Sequence, residues 1–342
     1  MPPCRKNHGL SASLVLLILA GATACSSAPA ISDTDVRSAY KAGTGPLPVK
    51  IEHRTQLSFP ELEKDLRMRI AFPETPASYP LIIFSHGNGC LQDLYSGFAD
   101  HWASWGYVVI QPVHMDSREL GFSMKGATLE KMNKVVTSRV ADVRFILDSL
   151  DQLEAQVPGL TGQIDREQLI MAGHSMGAGT AMMLNGIQMV DPRDGNILKS
   201  DEDRFAALII ISEPSNNRMM PNEPWRMARV PTFIATGSED FSMAGARDGR
   251  KSRNAYTLPS DAEYPEQPHY YLYMDGMDHY LGGLICREDK SGPRDHSALE
   301  IINGSSTAFL DAFVEGDPAA KSFLDSGDIN ELTNSRATLE LR

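Results

Sequence analysis

A chain of 342 residues has room for one large α/β domain plus an export segment, because domains of that class run past 200 residues and bury a sizeable core. Its 42% hydrophobic and 22% charged content lies close to globular averages and excludes a disordered chain or a multi-span membrane protein. The formal net charge of −12 repels polyanions, so nucleic acid is excluded as a partner.

The chain opens on Arg5 and Lys6, followed by an apolar run from Leu10 to Ala20. That run has the length of a signal-peptide core and is too short to span a bilayer, so residues 1–24 are expected to direct export. Gly21-Ala22-Thr23-Ala24 then lead into Cys25. This resembles the end of a bacterial lipoprotein signal, which implies that Cys25 is lipidated and becomes the mature N-terminus. Ala22-Thr23-Ala24 equally suits ordinary signal-peptide cleavage. Either way the mature chain is expected to start at about Cys25, lipid-anchored in a bacterial envelope or secreted. Ser26, not Asp, follows the cysteine, a resemblance to lipoproteins sorted to the outer membrane. Residues 25–48, rich in Ser, Ala, Pro and Gly, read as a flexible tether. With Cys4 lost with the signal, Cys90 and Cys286 are left for an oxidising compartment. They form a pair or two separate buried thiols, since sequence does not fix connectivity.

Val49–Leu57 and Leu66–Phe72 read as two antiparallel strands at a sheet edge. Leu81–Phe84 and Tyr107–Ile110 are short continuous apolar runs, as in strands buried on both faces of a parallel sheet. The helix-like stretch from Leu94 to Trp105 between them requires a crossover, and so a parallel pair. Val136, Val140, Val143, Leu147 and Leu150 recur at steps of four and three, one apolar helix stripe with Arg139, Asp142, Arg144 and Asp148 elsewhere on the helix surface. Strands follow at Gln168–Ala172, Ala206–Ile211, Thr232–Thr236 and Tyr270–Met274, with helices from Met176 and at Leu299–Phe313. The alternation predicts a doubly wound, mostly parallel α/β sheet with helices on both faces. The domain is expected to end near residue 315, with 316–342 as a C-terminal tail.

Gly173-His174-Ser175-Met176-Gly177 falls between a predicted strand and a helix of small residues, the context a nucleophile elbow needs. A serine there sits on a strained turn that exposes its oxygen, and glycines two residues to either side avoid collision with the turn and its neighbouring strand. A serine hydroxyl becomes a useful nucleophile only when a positioned imidazole takes its proton. His279, after the strand Tyr270–Met274 and a turn containing Gly276, is the candidate base, with His269 and His296 as weaker competitors. Asp240, just past the strand Thr232–Thr236, is the candidate acid that would fix the imidazole tautomer, with Glu213 and Glu239 as competitors. Two backbone donors are required for the oxyanion, and the elbow supplies the Met176 amide.

Four stretches together resemble the α/β-hydrolase superfamily from about Val49 to Phe313: Phe84-Ser85-His86-Gly87-Asn88-Gly89, Gly106-Tyr107-Val108-Val109, the serine elbow, and Met274-Asp275-Gly276-Met277-Asp278-His279-Tyr280. The chain is similar to the branch that holds platelet-activating-factor acetylhydrolases, dienelactone-hydrolase-like esterases and cutinase-like polyester hydrolases. True dienelactone hydrolases carry cysteine where this chain has Ser175. The resemblance implies that residues 49–315 form a catalytic domain and that the Asn88 amide is the second oxyanion donor, with Gly89 as the near alternative. It implies a carboxylic-ester hydrolase acting on short or medium acyl esters, including lipid or polyester fragments, through an acyl-enzyme. The chemistry calls for no metal or cofactor. An amidase or peptidase with the same triad, and a catalytically silent envelope-binding protein on this scaffold, are the alternative readings. Met115–Lys134 and Glu213–Val230, with Met219, Met220, Trp225 and Met227, are expected to shape the pocket.

The anchor reading is checked by fractionating wild type against Cys25→Ser and weighing the mature N-terminus by mass spectrometry. Wild type is expected in the membrane fraction with an acylated Cys25, held by several chains at about 0.8 kcal/mol per buried CH₂, and Cys25→Ser in the soluble fraction.

Overall fold

The computed structural model describes residues 32–342 except 124, 127, 192, 193, 199, 201, 215–223 and 241–261. The export segment, Cys25, Met219 and Met220 lie outside the described residues.

Strand β1 (Val49–Phe59) turns through Pro60–Leu62 into β2 (Lys64–Pro73), and the two pair antiparallel. Six strands then run parallel: β3 (Tyr79–Ser85), β4 (Val108–Pro112), β5 (Ile164–His174), β8 (Phe205–Ile211), β9 (Thr232–Glu239) and β10 (His269–Asp278). A two-stranded hairpin, β6 (Met189–Val190) and β7 (Ile197–Leu198), stands apart. The nine-stranded sheet has the order β1-β2-β4-β3-β5-β8-β9-β10-β11. The chain therefore builds outward from β3 first to one side and then to the other, and the crevice at such a reversal lies beyond the carboxyl ends of the strands.

Side chains alternate across the sheet with period two and feed two cores. Ile170, Ala172, Ala207 and Ile209 face one way, onto Phe98 and Trp102 of α2 (Ser96–Ser104) and Ile302 and Phe309 of α6 (His296–Phe313). Leu169, Met171, Leu208 and Ile210 face the other, onto Val140 and Val143 of α3 (Leu129–Asp148) and Ala181 and Met182 of α5 (Met176–Leu184). Burial on both faces explains why these strands read as unbroken apolar runs. The doubly wound, mostly parallel sheet expected from the alternation is the fold observed.

Both ends of the domain differ from the expectation. Within the predicted tether, α1 (Asp33–Ser38) is closed by a capping box between Ser32 and Asp35, and Tyr40 lies on Gly304, where any side chain would collide with its ring. Within the predicted tail, α7 (Pro318–Ser326) buries Phe323 and Leu324, and β11 (Ala337–Leu341) pairs antiparallel with Tyr270–Met274 of β10. These elements are short, six, nine and five residues, so none shows a long periodic signal in sequence. Leu150 likewise leaves the long helix and opens a separate one, α4 (Leu150–Gln156).

Two histidines away from the carboxyl ends of the strands are held neutral by burial. His101 on α2 meets Thr307 Oγ1 of α6 at 3.0 Å, and His269 begins β10 against the Trp225 ring. Burial pushes each imidazole down to about 4. Because the unfolded chain takes up these protons at about pH 6.5 and the native one does not, stability is full above that value and falls as pH drops towards the folded values. Urea midpoints should decline over that window, and a His101→Gln, His269→Gln double variant should show a flatter decline.

Candidate active site

Ser175 adopts φ 54° and ψ −114°, a conformation that L-residues rarely hold and that costs of the order of 1–3 kcal/mol. The flanking glycines make it possible. A Cβ on Gly177 would lie 1.9 Å from the Ser85 carbonyl oxygen, and one on Gly173 would lie 2.4 Å from the Gly177 backbone. The turn is pinned from behind, where the Ser175 amide donates to the Ile211 carbonyl at 3.0 Å.

Two neighbouring parallel strands deliver the partners. β9 ends at Glu239 and places Asp240 fully buried, while β10 ends at Asp278 and places His279 with 13% of its side chain exposed. The strands close tightly here, since a Cβ on Gly237 would lie 2.4 Å from that of Met277. His279 Nδ1 meets Asp240 Oδ1 at 2.8 Å, and His279 Nε2 meets Ser175 Oγ at 2.9 Å. The other carboxylate oxygen accepts the Thr236 hydroxyl at 2.7 Å. A carboxylate only accepts, so Nδ1 carries the proton and Nε2 is left to take the serine proton. Asp278 holds the turn behind the base: its Oδ1 accepts the amides of Tyr280 and Gly282 at 2.8 and 3.0 Å.

The competing residues lie elsewhere. His269 is at the far end of β10, His296 opens α6 in solvent, and Glu239 is exposed. Trp225 packs against His269 and belongs to the core at that far end, where Met227 joins it, so neither lines the crevice beside Ser175.

Among the described residues the amides of Met176 and Asn88 have no intramolecular acceptor, whereas the Gly89 amide points at Asp116 Oδ2 at 3.4 Å. Asp116 also accepts the Asn88 side-chain amide at 3.0 Å. It is itself clasped by Arg139, with Nε to Oδ1 at 2.9 Å and Nη2 to Oδ2 at 2.8 Å. Burial works to raise the Asp116 carboxyl, and the guanidinium overrides it, holding the group below the usual carboxylate range. Arg139 Nη1 further donates to the Ser85 hydroxyl at 2.9 Å and the His86 carbonyl at 2.6 Å. The expectation that Arg139 and Asp142 lie on the outer surface of α3 is therefore corrected: both are wholly buried. Asp116, in the stretch expected to shape the pocket, braces the loop after β3.

A second serine–histidine–aspartate chain lies beside this brace. Ser85 Oγ meets His114 Nε2 at 2.9 Å, and His114 Nδ1 meets Asp142 Oδ2 at 2.9 Å. All three are wholly buried. With Arg139 on its oxygen and no path for a carbonyl carbon, Ser85 anchors the end of β3 and cannot attack. Spacing in sequence marks neither this chain nor the Arg139 clasp. Finally, Cys90 and Cys286 form a disulfide with Cα atoms 4.9 Å apart, tying the loop after β3 to the loop after β10 across 196 residues. This settles the pairing that sequence left open.

Removing one member of a buried ion pair strands the other charge. Arg139→Met should lower unfolding stability by about 3–5 kcal/mol, read from urea unfolding, whereas Ser175→Ala should cost nothing comparable.

The sequence pattern of the chlorophyllase family matches residues 36–213, from α1 through the elbow to the end of β8. The platelet-activating factor acetylhydrolase of Bos taurus is 29% identical over 143 residues, 32% of this chain and 32% of that protein. The enzyme of the same name from Cavia porcellus is 22% identical over 292 residues, 70% of this chain and 59% of that protein. The chain thus spans about a third and about three-fifths of these two relatives. With a doubly wound sheet and a family match over about half its length, this chain belongs to the chlorophyllase family and has the α/β-hydrolase fold.

Proposed function

We propose that this protein is a serine hydrolase of carboxylic esters, and that Ser175, His279 and Asp240 carry the reaction. The reading rests on one observation: a strained serine hydroxyl 2.9 Å from an imidazole whose other nitrogen lies 2.8 Å from a buried carboxylate. Ser175 Oγ adds to the ester carbonyl carbon while His279 Nε2 takes its proton. The oxyanion that forms receives the amide hydrogens of Met176 and Asn88, donors already aimed before charge develops. The intermediate expels the alcohol, which takes the proton back from His279, and leaves an acyl-Ser175. Water, deprotonated by the same imidazole, then releases the acid and restores the serine. Asp240 stays ionised throughout and stabilises the imidazolium. The names of the relatives, both acetylhydrolases acting on platelet-activating factor, support a short acyl group. With Cys25 lipidated, the enzyme would work on esters at the bacterial envelope.

Purified protein should hydrolyse p-nitrophenyl acetate in preference to the matching anilide, and a fluorophosphonate should label Ser175. Ser175→Ala should fold normally and lose about 10³-fold or more in kcat. Turnover should survive EDTA. Turnover retained by Ser175→Ala would overturn the assignment.

A further inference from the structure

Tyr95 and His174 take no part in the proton transfers above, yet both are wholly buried between the three loops on which those transfers depend. The Gly87 amide donates to Tyr95 Oη at 3.1 Å, Tyr95 Oη lies 2.8 Å from His174 Nδ1, and His174 Nε2 lies 2.8 Å from the main-chain carbonyl oxygen of His279. The chain runs from the oxyanion loop, through the residue before the nucleophile, to the backbone of the base.

Its direction is fixed by chemistry. A carbonyl oxygen only accepts, so His174 Nε2 carries a proton. In a neutral imidazole Nδ1 then accepts, and the Tyr95 hydroxyl donates to it while taking the Gly87 amide on its own lone pair. Burial raises the Tyr95 hydroxyl above the usual phenol range, so it keeps the proton it donates. The junction has no slack. A Cβ on Gly87 would lie 2.9 Å from each of Tyr95 Oη, His174 Nδ1 and Cys90 Sγ, so the hydrogen-bond chain and the disulfide brace the same point.

We infer that His174 and Tyr95 are positioning residues, which hold the base loop and the oxyanion loop at the separation from Ser175 that the reaction needs. The inference rests on the serine-esterase reading. His174 carries it most directly: it precedes the nucleophile in sequence and grips the backbone of the base, so the distance between Ser175 and His279 is set across one imidazole ring. Loss of that grip leaves every reacting group present and lets them drift apart, and a misplacement of about 1 Å costs on the order of 10²-fold. The loss falls on kcat, since the ester still enters the same crevice.

The experiment compares wild type, His174→Leu, His174→Gln and Tyr95→Phe on p-nitrophenyl acetate, with thermal melts and the rate of fluorophosphonate labelling for each. His174→Leu is expected to lower kcat by about 10- to 100-fold with KM held within about two-fold, and to slow labelling in step. His174→Gln, whose side-chain amide can donate towards the His279 carbonyl, should recover much of that loss. Tyr95→Phe removes one hydroxyl from a site of unchanged shape and should lower kcat to an intermediate degree. Unchanged kcat in a folded His174→Leu, or equal losses in His174→Leu and His174→Gln, would overturn the inference. If His174→Leu does not fold, an unchanged kcat in Tyr95→Phe overturns it equally. A wild type that neither turns over nor labels sinks the esterase reading itself, a result distinct from a working wild type matched by its variants.

Discussion

The loop after β3 is built around one buried ion pair. Arg139 and Asp116 have both left water entirely, and two unpaired charges in that position would cost several kcal/mol each. They are tolerated because the fork of the guanidinium meets both carboxylate oxygens, and its remaining donors reach the Ser85 hydroxyl and the carbonyls of His86 and Gly87. The far side of the carboxylate holds the Asn88 side chain and the Gly89 amide. The backbone of residues 85–89 is therefore fastened on both sides, while the Asn88 main-chain amide has no acceptor among the described residues. An apolar pair of the same volume could fill the space, but it could not hold carbonyls and amides in fixed directions, which is what a donor aimed at a developing oxyanion requires.

The sheet sets where that fastening acts. Because β3 lies between β4 and β5, the loop after β3 and the elbow after β5 emerge side by side, and a Cβ on Gly177 would already strike the Ser85 carbonyl. Asp240 and His279 arrive two and three strands beyond the elbow, after β9 and β10. Each reacting group comes from a separate loop, so its position has to be fixed by cross-links between loops: the Arg139 clasp, the Cys90–Cys286 disulfide, and the chain from Gly87 through Tyr95 and His174 to His279.

Two serine–histidine–aspartate chains of nearly equal geometry in one molecule show how little distance alone conveys. Ser85, His114 and Asp142 match Ser175, His279 and Asp240 to within about 0.1 Å in both hydrogen bonds. The difference lies in surroundings. Ser175 sits on a strained, projecting turn beside two amides with no acceptor among the described residues, whereas Ser85 is enclosed and already accepts from Arg139. A nucleophile needs space for a carbonyl carbon and donors for its oxygen, and the buried chain has neither.

The amino-acid sequence by itself determined the alternation of strands and helices, because strands buried on both faces must be apolar throughout and a crossover helix must show its stripe. It also determined Ser175, His279 and Asp240 as the residues to test, since a nucleophile elbow needs glycines at fixed offsets and its partners must follow strand ends in order. Three things only the tertiary structure decided. Residues 337–341 became part of the sheet because an edge strand needs a partner and little apolar surface, so nothing periodic announces it. Arg139 and Asp142 went inside because polar groups are buried wherever partners await them, and those partners, Asp116, Ser85 and His114, lie on other elements. The joining of the loop after β3 to the loop after β10 runs through a disulfide between residues 196 apart and through hydrogen bonds of Tyr95 and His174 that span 79 and 105 residues, and no local pattern encodes a contact made across such distances.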